Sequence, residues 1–196
     1  MIAALDTNCL VRWSTNKPGD LDRTRIEHLL AQVSAAGGRV VIPAPSFAEF
    51  LVRADAATKQ WIDGVTSKRS VIVAPFDRRS ALECALLDRT ALGAGDKKRG
   101  RLDAWQKIKI DRQIIAISRV SNVALLVTDD EGLRSEALSA GITVKRVRDL
   151  DIPQSALQTK LAFDGPSRAS NAEGPAAVHP PGESGQPGAG GALRGL

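Results

Sequence analysis

Acidic residues recur in this chain where an extended apolar run ends or a helical pattern begins. Asp6 closes the run that starts at Ile2, and Glu49 stands shortly after Pro43 and Pro45. Asp111 lies within the isoleucine-rich stretch from Ile108 to Ile117, and Asp129 and Asp130 follow the run 123–128. In an open α/β sheet, residues just past the carboxyl ends of the strands converge on one crevice. Carboxylates gathered there repel one another unless a positive charge lies between them, which points to a hard divalent cation. Carboxylates holding Mg²⁺ or Mn²⁺ are common equipment for hydrolysing phosphodiesters.

Each acid also has a plain structural role open to it. Asp6, followed by Thr7 and Asn8, has the residue types that cap a following helix. Ser46 and Glu49 spell a capping box just after Pro45, and Glu49 falls outside the apolar stripe of Phe47, Leu51 and Ala54. Thr128 and Glu131 spell a second capping box, and either Asp129 or Asp130 can face the crevice while the other caps. Asp111 differs from the rest. On a helical wheel it lies between Ile114 and Ile115, on the side of Ile108 and Ile110. A carboxylate inside an apolar stripe is costly unless it is paired or bound to metal. A buried ion pair with an arginine is the alternative there.

The elements that must position these residues are legible as a repeating pattern. Short, β-branched-rich runs at 2–5, 40–42, 71–74, 124–127 and 142–144 read as buried strands. Helical spacing fills most gaps: Ile26, Leu29, Leu30 and Val33, stopped by Gly37 and Gly38; Phe47, Phe50, Leu51 and Ala54; Ala81, Leu82, Ala85 and Leu86, ended near Gly93; Ile110, Ile114 and Ile117; and a short helix over 131–139 ended by Gly141. Alternation of this kind predicts an α/β fold, a parallel sheet with helices on both faces. Residues 93–103 interrupt the pattern with glycine, lysine and arginine and read as a mobile basic loop.

The length of 196 residues suits one domain with a sizeable core. The net charge is +5, and the stretch 94–119 alone holds eight basic residues against three acidic ones, a surplus equal to that of the whole chain. Such a patch is an expected nucleic-acid footprint, although a solvated helix face gives the same pattern. Cys9 and Cys84 form no paired motif, so neither zinc nor a disulfide framework is expected, which suits a reducing, cytoplasmic setting. No signal peptide and no apolar run long enough to span a membrane is visible. His28 and His179 are the only histidines, which argues against a mechanism built on two of them. A last helix is expected over 153–163. From 164 onward glycine and proline dominate and large aliphatics are scarce, so that tail is expected to stay disordered.

Taken together, the order of the acids resembles the PIN-domain ribonucleases, especially the VapC-type toxins of toxin–antitoxin pairs. The matching pieces are Leu5-Asp6-Thr7-Asn8, Ile42-Pro43 through Glu49, Ile110-Asp111 with Ile114-Ile115-Ala116, and Thr128-Asp129-Asp130-Glu131-Gly132-Leu133 followed by Ala140-Gly141-Ile142. The resemblance spans residues 1–152, a PIN-like nuclease domain. It implies a three-layer fold with a five-stranded parallel sheet of order 3-2-1-4-5. It also implies Mg²⁺ or Mn²⁺ held by Asp6, Glu49, Asp111 and one aspartate of the Asp129/Asp130 pair, with Asp130 in the position that the family's pattern uses. Asn8 and Thr128 would support the site.

The expected activity is metal-dependent endoribonuclease cleavage, with RNA as substrate, a small antitoxin as partner and a homodimer as the assembly. Lys97, Lys98, Arg99, Arg101 and Arg112 are the residues expected to contact the RNA backbone. Leu29, Leu30, Phe50, Leu51 and Trp61 could line an antitoxin groove, although their default place is the core. Three other functions stay open: a housekeeping PIN nuclease acting on ribosomal or transfer RNA precursors, a PIN-like scaffold that binds RNA or protein without cleaving, and a haloacid dehalogenase-type phosphatase. The last needs a second aspartate two positions after Asp6, where this chain has Asn8.

Overall fold

The computed structural model describes residues 1–15, 17–154 and 156. The expected helix over 153–163 and the tail from 164 lie largely or wholly outside the described residues. Five strands form the sheet: β1 (Ile2–Leu5), β2 (Arg39–Pro43), β3 (Val71–Ala74), β4 (Leu125–Val127) and β5 (Thr143–Lys145). All four neighbouring pairs are parallel, and the order is β3-β2-β1-β4-β5. The chain therefore winds outward from β1 in one direction and returns to start β4 on its other side. The crevice at the carboxyl ends of β1 and β4 is the topological switch point, where such sheets place their sites.

The helices are α1 (Thr7–Thr15), α2 (Leu21–Ala35), α3 (Ala44–Val52), α4 (Ala56–Thr66), α5 (Arg78–Gly93), α6 (Trp105–Val120) and α7 (Glu131–Ser139), followed by a single 3-10 turn, Val147–Asp149. The central strands are apolar on both faces, and their alternation divides the core in two. Ala3, Leu5, Val40, Ile42, Leu125 and Val127 pack with residues of α1 to α4 on one side of the sheet. Ala4, Val41 and Leu126 pack with residues of α5, α6 and α7 on the other. This period of two, with both faces covered, is what a buried parallel strand requires.

Local chemistry sets several boundaries. Asp20, Asp55, Asp77 and Asp130 cap α2, α4, α5 and α7 by accepting backbone N–H groups. Gly37, at φ +62°, turns the chain after α2, and a Cβ at Gly38 would collide with the Met1 carbonyl that flanks the β1–β2 pairing. Leu29 and Phe50 belong to the core, and Leu30, Leu51 and Trp61 are partly buried against it. There Trp61 meets Trp13 edge-on at 4.8 Å between ring centroids. Among the described residues no helix is long and apolar enough to cross a membrane.

The stretch expected to be a mobile loop is tied down. Lys98 Nζ donates to the Asp103 carbonyl at 2.9 Å, and Asp96 accepts from the Lys98 backbone at 2.9 Å. Lys97 Nζ lies 3.9 Å from the centroid of the Trp105 ring, a cation–π contact. The Lys97 carbonyl accepts from Arg112.

Candidate metal centre

Four carboxylates from four separate stretches line one crevice of about 1150 Å³: Asp6 after β1, Glu49 on α3, Asp111 on α6 and Asp130 at the start of α7. Asp6 sits deepest. Its backbone N–H donates to the Val127 carbonyl at 3.1 Å, which extends the β1–β4 ladder by one residue. Its side chain is an acceptor only. Oδ1 accepts from Ser46 Oγ at 3.1 Å, and Oδ2 accepts from Thr128 Oγ1 at 2.9 Å and from Asn8 Nδ2 at 3.1 Å. Burial pushes the Asp6 carboxyl above its usual range. The Thr7 backbone N–H and the Thr128 and Ser46 hydroxyls oppose that rise, while the negative field of Asp111 adds to it.

Asp111 is 5 % exposed, as its place among isoleucines implied, although its neighbour Ile110 is 41 % exposed on the crevice wall. Two cations share its Oδ2: Arg101 Nη2 at 2.5 Å and Lys107 Nζ at 3.1 Å. Lys107 Nζ also lies 2.9 Å from Asp130 Oδ2. Burial raises the Asp111 pKa and outweighs the help from both cations; burial lowers Arg101 and Lys107, but Asp111, Asp103 and Glu136 raise the first and Asp130 and Asp111 raise the second. Asp111 is charged at neutral pH, because a guanidinium that cannot release its proton touches it. At Asp130 burial acts upward, but the Leu133 N–H and Lys107 prevail and hold the carboxyl low.

The paired aspartates part company. Asp130 faces the crevice, with Oδ1 accepting the Leu133 N–H at 2.8 Å as the cap of α7. Asp129 faces a smaller pocket of about 450 Å³ shared with Arg12, Asp22, Glu131, Arg146 and Arg148. There its Oδ1 accepts the Val147 N–H at 3.1 Å, and its Oδ2 lies 2.9 Å from Arg12 Nε, an ion pair without a hydrogen bond's alignment. Neither sequence capping box forms. Ser46 is inside α3 and reaches Asp6, and Glu49 accepts from Thr7 Oγ1 at 2.9 Å. Glu131 pairs instead with Arg134 and Arg146. Thr128 and Asn8 both reach the acids: Thr128 Oγ1 donates to Asp6, and Asn8 Oδ1 accepts the Asp129 N–H at 3.3 Å.

Two of the five residues expected on the RNA backbone are inside the protein. Arg112 is 1 % exposed, with Nε on Glu136 at 2.6 Å, Nη1 on Asp88 at 2.6 Å and Nη2 on the Lys97 carbonyl at 2.9 Å. The Arg101 side chain is 9 % exposed and is shared among Asp103, Asp111 and Glu136. Both guanidiniums are committed to carboxylates, so neither is placed to meet a phosphate. Lys97, Lys98 and Arg99 stay at the surface or partly so. Lys107 and Glu136 carry this network and have no role in the sequence reading. Their signals were present: Lys107 stands four residues before Asp111, and Glu136 sits between the apolar positions Leu133 and Ala137.

The donor set suits Mg²⁺ or Mn²⁺. It offers carboxylate oxygens backed by hydroxyls and one amide, with neither thiolate nor imidazole among the crevice residues. The mutual repulsion of Asp6 and Asp111 is the tension that a shared cation relieves. Among the described residues, however, no three acidic, histidine or cysteine side chains are drawn close enough together to grip an ion. In this arrangement cationic side chains, Arg101 and Lys107, lie against Asp111 and Asp130. The chemistry of the residues fits the metal, and their present pairing is that of a site closed on its own cations.

No protein-family model matches the chain, and no curated protein sequence matches it. Solved structures do. A chain from the crystal structure of VapBC2 from Rickettsia felis, bound to a DNA fragment from its promoter, is similar with a TM-score of 0.51 and 17% identity, over 74% of this chain and 98% of that one. A chain from DNA-bound VapBC from Salmonella typhimurium is similar with a TM-score of 0.52 and 17% identity, over 75% and 98%. The likeness lies in the fold, and the sheet order is the one the PIN resemblance implied.

Proposed function

We propose that the protein is a divalent-metal-dependent endoribonuclease of the PIN type and the toxin half of a toxin–antitoxin pair. One observation carries the reading: Asp6, Glu49, Asp111 and Asp130, far apart in sequence, line a single crevice at the carboxyl ends of the central strands. Asp6 and Asp111 are the central ligands in this reading, with Glu49 and Asp130 completing the set and Asp129 left to brace the 3-10 turn. Mg²⁺ or Mn²⁺ bound among them would act as a Lewis acid toward a phosphate oxygen and lower the pKa of a bound water. The chain supplies the rest. Ser46, Thr128 and Asn8 fix both oxygens of Asp6 by hydrogen bonds, so the carboxylate keeps one orientation. With Arg12 taken by Asp22 and Asp129, Arg53 on the crevice wall and Lys97, Lys98 and Arg99 on the loop are the cations left to position a phosphate backbone. With water rather than the 2′-hydroxyl as nucleophile, the product ends are 5′-phosphate and 3′-hydroxyl.

The antitoxin partner is inferred from the similar chains, which come from VapBC structures with DNA, and a homodimer is inferred from the PIN-toxin resemblance alone. The pairing of Asp111 with two cations favours one rival, a PIN-like scaffold that binds RNA or protein without cleaving. Cleavage of single-stranded RNA with Mn²⁺, with chelator and with the Asp6→Asn and Asp111→Asn variants separates the two. We expect cleavage only with metal and a loss of at least about 100-fold in each variant, the scale on which removing a group that stabilises the transition state acts. Circular dichroism on the same samples should show the fold kept. Full activity in chelator, or in both variants, would refute the metal mechanism, and no cleavage under any condition would favour the scaffold.

A further inference from the structure

The two cations at Asp111 are held very differently. Arg101 is buried, shared among three carboxylates, and seated against Gly132, where a Cβ would collide with its guanidinium. To leave, it would have to give up all three ion pairs. Lys107 is 38 % exposed and stands on the crevice wall. Among the described residues its ion-pair partners are Asp111 on its own helix and Asp130, the cap of α7. A flexible four-carbon stem with a compact ammonium at its tip leaves such a position readily.

The oxygens it touches matter more than its mobility. Asp130 has two, and Oδ1 is already taken as the cap of α7. The oxygen left for a cation, Oδ2, is the one Lys107 holds at 2.9 Å. Lys107 and Arg101 also converge on one oxygen of Asp111, Oδ2. Asp130 Oδ2 carries no backbone bond and is the freer of the two oxygens, and a cation that takes it displaces Lys107. Charge points the same way. Among the described residues the cations in ion-pair contact with these carboxylates are Arg101 and Lys107, and a divalent ion arriving while the ammonium stayed between Asp111 and Asp130 would meet a positive charge at contact distance.

We propose that Lys107 is a built-in competitor for the divalent cation: its ammonium bridges Asp111 and Asp130 in the metal-free protein and leaves as the ion enters. This rests on the metal-dependent reading above and adds a regulation to it. The site trades an internal cation for an external one, so its metal affinity is set below what the same carboxylates would give alone. Arg101 does not exchange. It holds Asp111 in place through both states.

The test is calorimetric titration of the full-length protein with Mn²⁺, without RNA, at fixed pH and ionic strength. Lys107→Met removes the charge and keeps the stem, Lys107→Arg keeps a competitor, and Lys109→Met is the control. Lys109 lies on the same helix but its amine is near the Trp105 ring, 5.6 Å from the centroid, rather than at the carboxylates. We expect Lys107→Met to bind Mn²⁺ about fivefold to tenfold more tightly, the scale of one half-exposed ion pair. Lys107→Arg and Lys109→Met should stay within about twofold of the parent, because neither removes a competing charge from the site. Unchanged or weaker binding by Lys107→Met, or equal tightening by Lys109→Met, overturns the competitor. Absence of Mn²⁺ binding in every protein overturns the metal-dependent reading as well, so the two failures are distinct.

Discussion

Asp6 and Asp111 are both buried carboxylates, yet they are neutralised by different means, and removing the charge from each has different consequences. Asp6 has hydrogen-bond donors but no ion pair, and burial raises its pKa from the ordinary value of 3.8. A raised carboxyl pKa means that the folded protein holds the proton more tightly than the unfolded chain. The contribution of Asp6 to stability is therefore complete below the unfolded pKa and is lost as pH rises through the folded one. In chelator, Asp6→Asn should melt at a higher temperature than the parent at pH 7.5, and the gain should vanish near pH 3.5, where both side chains are neutral. The amide oxygen still accepts from Thr128 and Asn8, and the Ser46 hydroxyl can turn to accept. Asp111→Asn should show no such gain, because it takes a partner from a buried guanidinium. Melting curves at the two pH values check this, and a parent more stable than Asp6→Asn at pH 7.5 would refute it. The residue scale was half legible from sequence. Asp111 announced itself by standing among isoleucines, whereas Asp6 and Glu49 also fitted capping patterns, of which the Ser46–Glu49 box is one the fold does not use. Which of Asp129 and Asp130 faces the crevice depends on tertiary partners, Arg12 and Val147 for one and Lys107 for the other, that no local pattern records.

At the scale of elements, the crevice wall is held by a chain of ion pairs joining α5, α6, α7 and the 94–104 loop. Asp88 binds Arg112, Arg112 binds Glu136, Glu136 binds Arg101, and Arg101 binds Asp111. Breaking a buried pair by removing one partner is costly, on the order of 3–5 kcal/mol, because a charge is left behind. Arg112→Met should therefore lower the melting temperature by roughly 10 °C at this domain size. Arg112→Met with Glu136→Leu should recover more than half of that, since the stranded charge goes with its partner. A double variant no more stable than Arg112→Met would show that the network stabilises through something other than mutual neutralisation. The five strands and five of the seven helices were readable because each carries a clear apolar period. α1 was not, since Thr, Asn, Cys, Val and Ser are weak helix formers and the helix exists by burying Cys9, Leu10 and Trp13. α4 escaped because only Ile62 and Val65 are buried along it, too few to mark a stripe. The basic loop misled for a related reason. Its charge is real, but Arg101 and the neighbouring Arg112 are turned inward by carboxylates contributed from other elements.

For the whole molecule, the crevice joins two surfaces of opposite character. One side is the carboxylate cluster, and the other is an apolar wall in which Val52, Phe76 and Ile110 are exposed. The first suits an arginine or lysine, the second an apolar side chain, and a partner segment carrying both would cover the site from solvent. This wall, rather than the core residues Leu29 and Phe50 or the partly buried Trp61, is where the fold leaves apolar surface beside the acids. The toxin reading then makes a prediction for the living cell. Regulated expression of the full chain in a bacterial host should arrest growth, and Asp6→Asn should abolish the arrest while the protein still accumulates. Co-expression of the gene that immediately precedes it should restore growth if that gene encodes the antitoxin. Loss of arrest in Asp6→Asn ties the toxicity to the crevice rather than to overproduction of a basic protein. Harmless expression of a protein that cleaves RNA in vitro would separate the activity from the toxin role and favour a housekeeping nuclease. Arrest that persists in Asp6→Asn would place the toxicity outside the carboxylate site.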